Sequence, residues 1–208
     1  MILTIAHTKG GTGKSTLVWH LAHSLKYAGR SVAIIDLDFQ QTLHYVNLMA
    51  GEPFRLIQPQ SSDELIEFVI HSASQYDFVL IDVGGFDADI NRTALTYSHR
   101  ILIPLSDSIT EVIGFETFKS ILEQISTSAD FFMVLNNIHP LTRNFGTIRE
   151  AISGTNIVLL DSIIRSRKIY KQTMGDGKSI FSDKPNWITG TGQAISEIEG
   201  MRDELIRA

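Results

Sequence analysis

Residues 9 to 16 read Lys9-Gly10-Gly11-Thr12-Gly13-Lys14-Ser15-Thr16, a run of glycines, lysines and hydroxyls suited to holding phosphate. Glycines let consecutive backbone N–H groups converge on an anion, and a following helix turns its positive dipole end toward it. Lys14 adds a mobile point charge, and the Ser15 hydroxyl is the right donor for a Mg²⁺ ion. The flanks agree. An apolar strand pattern, Ile2 to Ala6, comes before, and Leu17, Leu21 and Leu25 recur at helical spacing after, which is the strand, loop and helix order of a phosphate-binding loop. A merely glycine-rich turn would not require that order.

Carboxylates stand where such a loop needs them. A β-branched run, Ser31 to Asp36, leads into Leu37-Asp38-Phe39-Gln40, so Asp36 and Asp38 sit two apart at a strand end, where side-chain directions alternate and the two acids take different roles. In an open parallel sheet, ligands bind beyond the carboxyl ends of the strands, which predicts this corner beside the phosphate loop. A second run, Phe78 to Ile81, delivers Asp82 and then Val83-Gly84-Gly85. An acid at the tip of a buried strand can hold a Mg²⁺-bound water, and glycines after it allow a mobile loop to approach a terminal phosphate.

The ordinary Gly-x-x-x-x-Gly-Lys-Ser/Thr spacing would need glycine where this chain has Thr8. The extra Lys9 instead makes the run a deviant Walker A box, and here the chain resembles the ParA/MinD family of ATPases, most of all a small ParA-type partition ATPase. The resemblance implies that Lys9 reaches across a dimer to the partner's nucleotide. It also implies that Asp38 orients the attacking water, that Asp36 supports the Mg²⁺ shell, and that Asn136 or Asn137 contacts adenine. Phe39 stands where the family usually has proline, and Gly84 and Gly85 where it often has proline, so both switch segments are expected to move more freely. The implied cofactors are ATP/ADP and Mg²⁺, bound by Gly10, Gly11, Thr12, Gly13, Lys14, Ser15 and Thr16. The implied partners are a second copy of the chain, non-specific double-stranded DNA and a ParB-like adaptor.

Other residues say less. Between 165 and 184, Arg165, Arg167, Lys168, Lys171, Lys178 and Lys184 face only Asp176 and Asp183. Such a cluster suits salt-sensitive, sequence-independent contact with DNA phosphates, and equally suits a solvated helix. Asparagines at a strand end, like Asn136 and Asn137, commonly form turns. His20 and His23 are three apart on a helix with no third metal ligand nearby in sequence. His7 precedes the loop, as a strand-end filler or as a contact to nucleotide or partner. Trp19, Trp187 and Tyr170 form no stacking platform by spacing.

Strand patterns at Ile2–Ala6, Ser31–Asp36, Phe54–Ile57, Phe78–Asp82, Ile101–Leu105, Phe132–Asn136 and Ile157–Asp161 alternate with helical ones. The helical patterns span Lys14–Ala28, Asp63–Ser74, Glu111–Ile125, Thr142–Ile152 and Gln193–Arg207. That alternation predicts an α/β single-domain P-loop NTPase, a mostly parallel twisted sheet covered by helices on both faces. At 208 residues and 43% hydrophobic, one core suffices. The absence of cysteine excludes disulfides, thiolate metal sites and iron–sulfur clusters. A net charge of −5 makes any nucleic-acid contact local. The expectation is a cytoplasmic, nucleoid-associated ATPase that dimerises with ATP, binds DNA and is released by hydrolysis. No DNA-reading segment stands ahead of the P-loop, and the acidic final helix, with Glu197, Glu199, Asp203 and Glu204, disfavours anionic membranes. A MinD-like membrane-associated ATPase and a metabolic P-loop ligase or kinase are the alternatives.

Overall fold

The computed structural model describes residues 1–72, 74–85, 88–182 and 190–207. In chain order the elements are β1 (Ile2–Ile5), α1 (Lys14–Tyr27), β2 (Val32–Asp36), α2 (Thr42–Met49), β3 (Arg55–Ile57), α3 (Ser62–Ser72), β4 (Phe78–Asp82) and α4 (Asp89–Thr96). They continue as β5 (Arg100–Leu105), α5 (Ile109–Leu122), β6 (Asp130–Ile138), α6 (Gly146–Ala151), β7 (Ile157–Arg165), α7 (Lys168–Gly175) and α8 (Thr191–Arg207). All seven strands join one parallel sheet in the order β3-β2-β4-β1-β5-β6-β7.

The two-residue period of the strands divides the core into two layers. Leu3, Ile5, Phe78 and Leu80 point to the side where α1, α7 and α8 pack, with Leu17, Leu21, Ile169 and Ile198. Ile2, Ala6, Val79 and Ile81 point to the other side, against Leu65 of α3 and Phe115 and Phe118 of α5. Trp19 is fully buried, edge-on to the rings of His23 and Phe54 at 4.7 and 5.7 Å. His20 bonds Tyr170 and Ile180. Both histidines are therefore packing residues, and among the described residues no group of three potential ligands could hold a metal.

The predicted doubly covered parallel sheet is what forms, with shifts at its margins. α2, α4 and α7, eight residues each, lie outside the helical patterns read from the sequence. The helix expected over Thr142–Ile152 shrinks to α6, because Asn144 accepts the Gly146 N–H at 2.9 Å in a local turn that delays helix entry. β6 runs on to Ile138 through a register shift, which places Asn136 and Asn137 inside the strand rather than at its end. β7 reaches Arg165, so the basic segment begins on a strand.

Carboxylates from α8 cap three N–H groups of β7. Glu204 accepts the N–H groups of Asp161 (2.6 Å) and Ser162 (2.9 Å), and Glu197 accepts that of Arg165 (3.1 Å). The helix approaches closely at Gly200, where a Cβ would lie 2.7 Å from the Ser162 Oγ.

Candidate functional site

Strand order brings the three sequence motifs to one corner. β2, β4 and β1 are neighbours, with Asp36 level with Asp82 and Asp82 level with Ile5. Their carboxyl ends therefore release Asp36–Asp38, Asp82–Gly85 and residues 6–13 side by side, the arrangement expected of ligand sites in open parallel sheets.

The loop after β1 leaves room for an anion. Gly11 and Gly13 have φ of +82° and +88°, a region costly for side chains, and a Cβ on Gly10 or Gly11 would meet nothing within 4 Å. α1 starts on Gly13 with no side-chain cap, so its first-turn N–H groups keep their capacity for a ligand. Gly13 is also where the loop packs most tightly: the Asn136 Nδ2 donates to the Thr12 carbonyl at 2.6 Å, and a Cβ at 13 would lie 2.6 Å from that same nitrogen. Asn136 is thereby tied to the loop, whereas Asn137 is exposed at φ +57°. The Thr12 hydroxyl is buried without a partner.

Charge at the corner is concentrated and dry. Lys14 is buried, its ammonium donating to the Lys9 carbonyl at 3.1 Å, and burial lowers its pKa against the opposing pull of Asp82, Asp38 and Glu111. Asp82 is fully buried and neither carboxylate oxygen has a hydrogen-bond partner of good geometry. Burial pushes its pKa up to about 8; the neighbouring Ser15 hydroxyl and Lys14 offset part of that rise, while Asp36 and Asp38 add to it. Asp36, also buried, accepts the N–H groups of Asp38 (3.1 Å) and His44 (3.2 Å), yet burial still raises its pKa. Asp38 is half-buried and accepts the Gln40 N–H at 2.9 Å. Gly84 lies against it, with a Cβ there only 3.2 Å from the Asp38 Cα, so the loops after β2 and β4 touch. A cavity of about 290 Å³ opens beside them, lined by Asp36, Asp38, Phe39, Gln58, Pro59 and Ile90.

Two close acids, one with no hydrogen-bond partner of good geometry, fit a divalent cation: both carry a desolvation penalty that a bound Mg²⁺ would relieve, and Ser15 stands beside Asp82 as an oxygen donor. Thr16 is half-buried on the first turn of α1.

α5 contributes residues that the sequence reading did not select. The Lys9 ammonium donates to the Thr110 hydroxyl at 2.6 Å, and Thr8 Oγ1 donates to the Gly114 carbonyl at 3.0 Å. Buried His7 accepts the Lys9 N–H through Nδ1 at 3.0 Å, and burial with nearby Lys14 and Lys9 lowers its pKa to about 4. Its role is to shape the loop as a neutral ring. Glu111 Oε2 accepts the Ser106 N–H at 2.7 Å. Periodicity alone predicts a helix over Glu111–Ile125, which locates α5 without selecting Thr110, Glu111 or Gly114 for the site.

The basic segment separates into two kinds of cation. Lys168, Lys171 and Lys178 are exposed. Arg167 is half-buried and bidentate to Glu197, the shortest contact being 2.6 Å, and Arg165 donates to the carbonyls of His139 and Thr142 at 3.2 and 3.0 Å. Asp183, Lys184 and Trp187 lie outside the described residues.

Among curated proteins, the chain is 25% identical over 186 residues to the maintenance of carboxysome distribution protein A of Halothiobacillus neapolitanus, covering 86% of each. Its fold is similar to a chain of the MinC:MinD cell division protein complex of Aquifex aeolicus, with a TM-score of 0.79 at 16% identity, over 100% of this chain and 96% of that one. It is also similar to the Pyrococcus horikoshii septum site-determining protein MinD complexed with Mg-ADP, with a TM-score of 0.68 at 18% identity, covering 100% and 98%. Residues 3–180 match the family model for the CobQ/CobB/MinD/ParA nucleotide-binding domain, and the chain belongs to that family.

Proposed function

We propose that this protein is a ParA-like positioning ATPase that binds Mg·ATP at the corner formed by β1, β2 and β4. The observation that carries the reading is Asp82, a fully buried carboxylate with no hydrogen-bond partner of good geometry, set beside Asp36, Ser15, Lys14 and the uncapped start of α1. A structural acid in that position would be paired or replaced; a ligand-binding one is left open. The Mg-ADP complex of the similar MinD supports the same choice of ligand.

In this reading the amides of residues 10–16 and the Lys14 ammonium hold the phosphates. Ser15, Asp36 and Asp82 hold Mg²⁺, which supplies charge neutralisation at the transferring phosphoryl group. Asp38 orients the water, and its half-exposed position beside Gly84 leaves it free to do so. Positioning and electrostatics are most of what phosphoryl transfer asks of a protein. Lys9 acts on the nucleotide of a second copy, so ATP joins two chains. The joined pair binds DNA through exposed Lys168, Lys171 and Lys178, an adaptor accelerates hydrolysis, and hydrolysis releases the pair. Doubling the cations offered to one duplex strengthens a contact that counterion release governs. The relative named for carboxysome distribution supports a role in positioning a cargo.

Cosedimentation tests the cargo surface: with Mg·ATP the protein should bind linear duplex DNA and not anionic liposomes. Strong liposome pelleting without DNA binding would favour the membrane-associated alternative. A steady-state ATPase assay tests the site, and Mg²⁺-dependent hydrolysis that survives in Asp82→Asn would contradict the assignment.

A further inference from the structure

The two edges of the sheet are treated differently. On β7, Glu197 and Glu204 of α8 take up the N–H groups of Asp161, Ser162 and Arg165. β3, at the opposite edge, pairs only with β2 among the described residues. An edge strand turns alternate N–H and C=O groups outward, where they can pair with another chain.

A groove of about 450 Å³ runs along this open edge, between β3 and α3. Its apolar lining is Ile57, Phe68 and Tyr76. Glu64 and Glu67 of α3 stand on one wall, and Arg55 and His71 complete the charged and titratable rim. The Glu64 carboxylate already accepts the Gln60 N–H at 2.8 Å, while Glu67 has no ion pair or hydrogen bond among the described residues. The Gln58 Nε2 is buried without an acceptor. Gln58 and Pro59 line this groove and also the cavity beside Asp36 and Asp38.

We propose that the groove receives an extended, cationic peptide segment of a partner protein, which adds as a strand beside β3. Main-chain pairing to the open edge supplies affinity, alternate apolar side chains fill the groove over Ile57 and Phe68, and a Lys or Arg meets Glu67. A carbonyl of the incoming strand can satisfy Gln58. A second copy of this chain is a poorer occupant, since it would bring its own Glu64 and Glu67 toward the same carboxylates and offers only the three-residue β3 as an edge. The shared residues Gln58 and Pro59 give an occupant a direct contact with the hydrolysis corner without covering the phosphate loop. That last link, by which the partner acts as the adaptor, rests on the ATPase reading above.

The test uses the nucleotide-free full chain, so its failure leaves ATP-driven dimerisation untouched. A phage library of linear seven-residue peptides is selected on the parent, with the Glu64→Lys/Glu67→Lys double variant as counter-target. Enriched peptides should be cationic with alternating β-branched or aromatic residues, and should bind the double variant about tenfold or more weakly. They should also shift the backbone amide signals of Arg55, Leu56 and Ile57. Three results would overturn the proposal: no enrichment over the double variant, acidic winners, or binding that leaves the β3 amides unmoved. Formation of a nucleotide-free dimer through β3, seen by light scattering and abolished in the double variant, would assign the edge to a second copy instead and equally overturn it.

Discussion

At the scale of single residues, the decisive feature is a carboxylate kept where water cannot reach it. Asp82 titrates near 8 when folded, against 3.8 for the unperturbed group. Between those values the folded chain keeps a proton that the unfolded chain gives up, so this residue's contribution to stability falls as pH rises through the window. Asp82→Asn should therefore raise the thermal midpoint of the nucleotide-free protein at pH 8 by several degrees and change it little near pH 4. Calorimetry at the two pH values checks this; equal effects at both would show that Asp82 is not held neutral by burial. Asn136 allows a second separation. Its amide is committed to the Thr12 carbonyl, so Asn136→Ala should weaken ATP and GTP alike by about 1–2 kcal/mol, the cost of loosening the loop. Selective loss of ATP in a calorimetric titration would instead make it an adenine contact.

The elements show why some of this was legible beforehand and some was not. The phosphate loop and its acids could be read because each motif is contiguous: a strand, its terminal acid and the glycines after it lie within a few residues. Contacts that join distant segments left no such trace. Asn136 meets Thr12 across 124 positions, and Arg167 meets Glu197 across 30. Arg167 therefore entered the sequence reading as one of a row of free cations, whereas the fold binds it to α8. This pairing predicts a division of labour within one basic segment. Arg167→Ala should cost about 1–3 kcal/mol in urea unfolding, since it strands a half-buried carboxylate that also bonds Tyr170 and the Arg165 N–H. Lys168→Ala/Lys171→Ala should leave stability within about 0.5 kcal/mol. It should also lower the steepness of DNA affinity against salt, because exposed lysines release counterions. A double variant that unfolds as readily as Arg167→Ala, or that keeps the parent's salt dependence, would contradict the division.

For the molecule as a whole, the α1 side of the sheet is tied together through neutral histidines. His20 is completely buried and links α1 to α7, donating to the Tyr170 carbonyl through Nε2 at 3.1 Å and accepting the Ile180 N–H through Nδ1 at 3.4 Å. Burial lowers its pKa from 6.5 to about 4, so the unfolded chain takes up a proton that the folded chain refuses between those values. Stability from His20 is complete above pH 6.5 and is lost as pH falls toward 4. His20→Gln should flatten that acid loss by about 2–3 kcal/mol between pH 7 and 4, measured as the change in unfolding free energy relative to the parent. An unchanged slope would place the acid sensitivity elsewhere.

The same corner that carries Asp82 also presents Lys9, resting on Thr110 at the surface, together with exposed Phe39, Ile109 and Ile113. A single chain gives Lys9 no phosphate to bind other than its own, and only a second copy would use it as the proposed function requires. Multi-angle light scattering with Mg²⁺ and a non-hydrolysable ATP analogue measures this directly. The parent should double in mass at saturating analogue while Lys9→Ala remains at the mass of one chain with its analogue affinity retained. A parent that stays monomeric at saturation, or a Lys9→Ala variant that doubles as the parent does, would contradict the account.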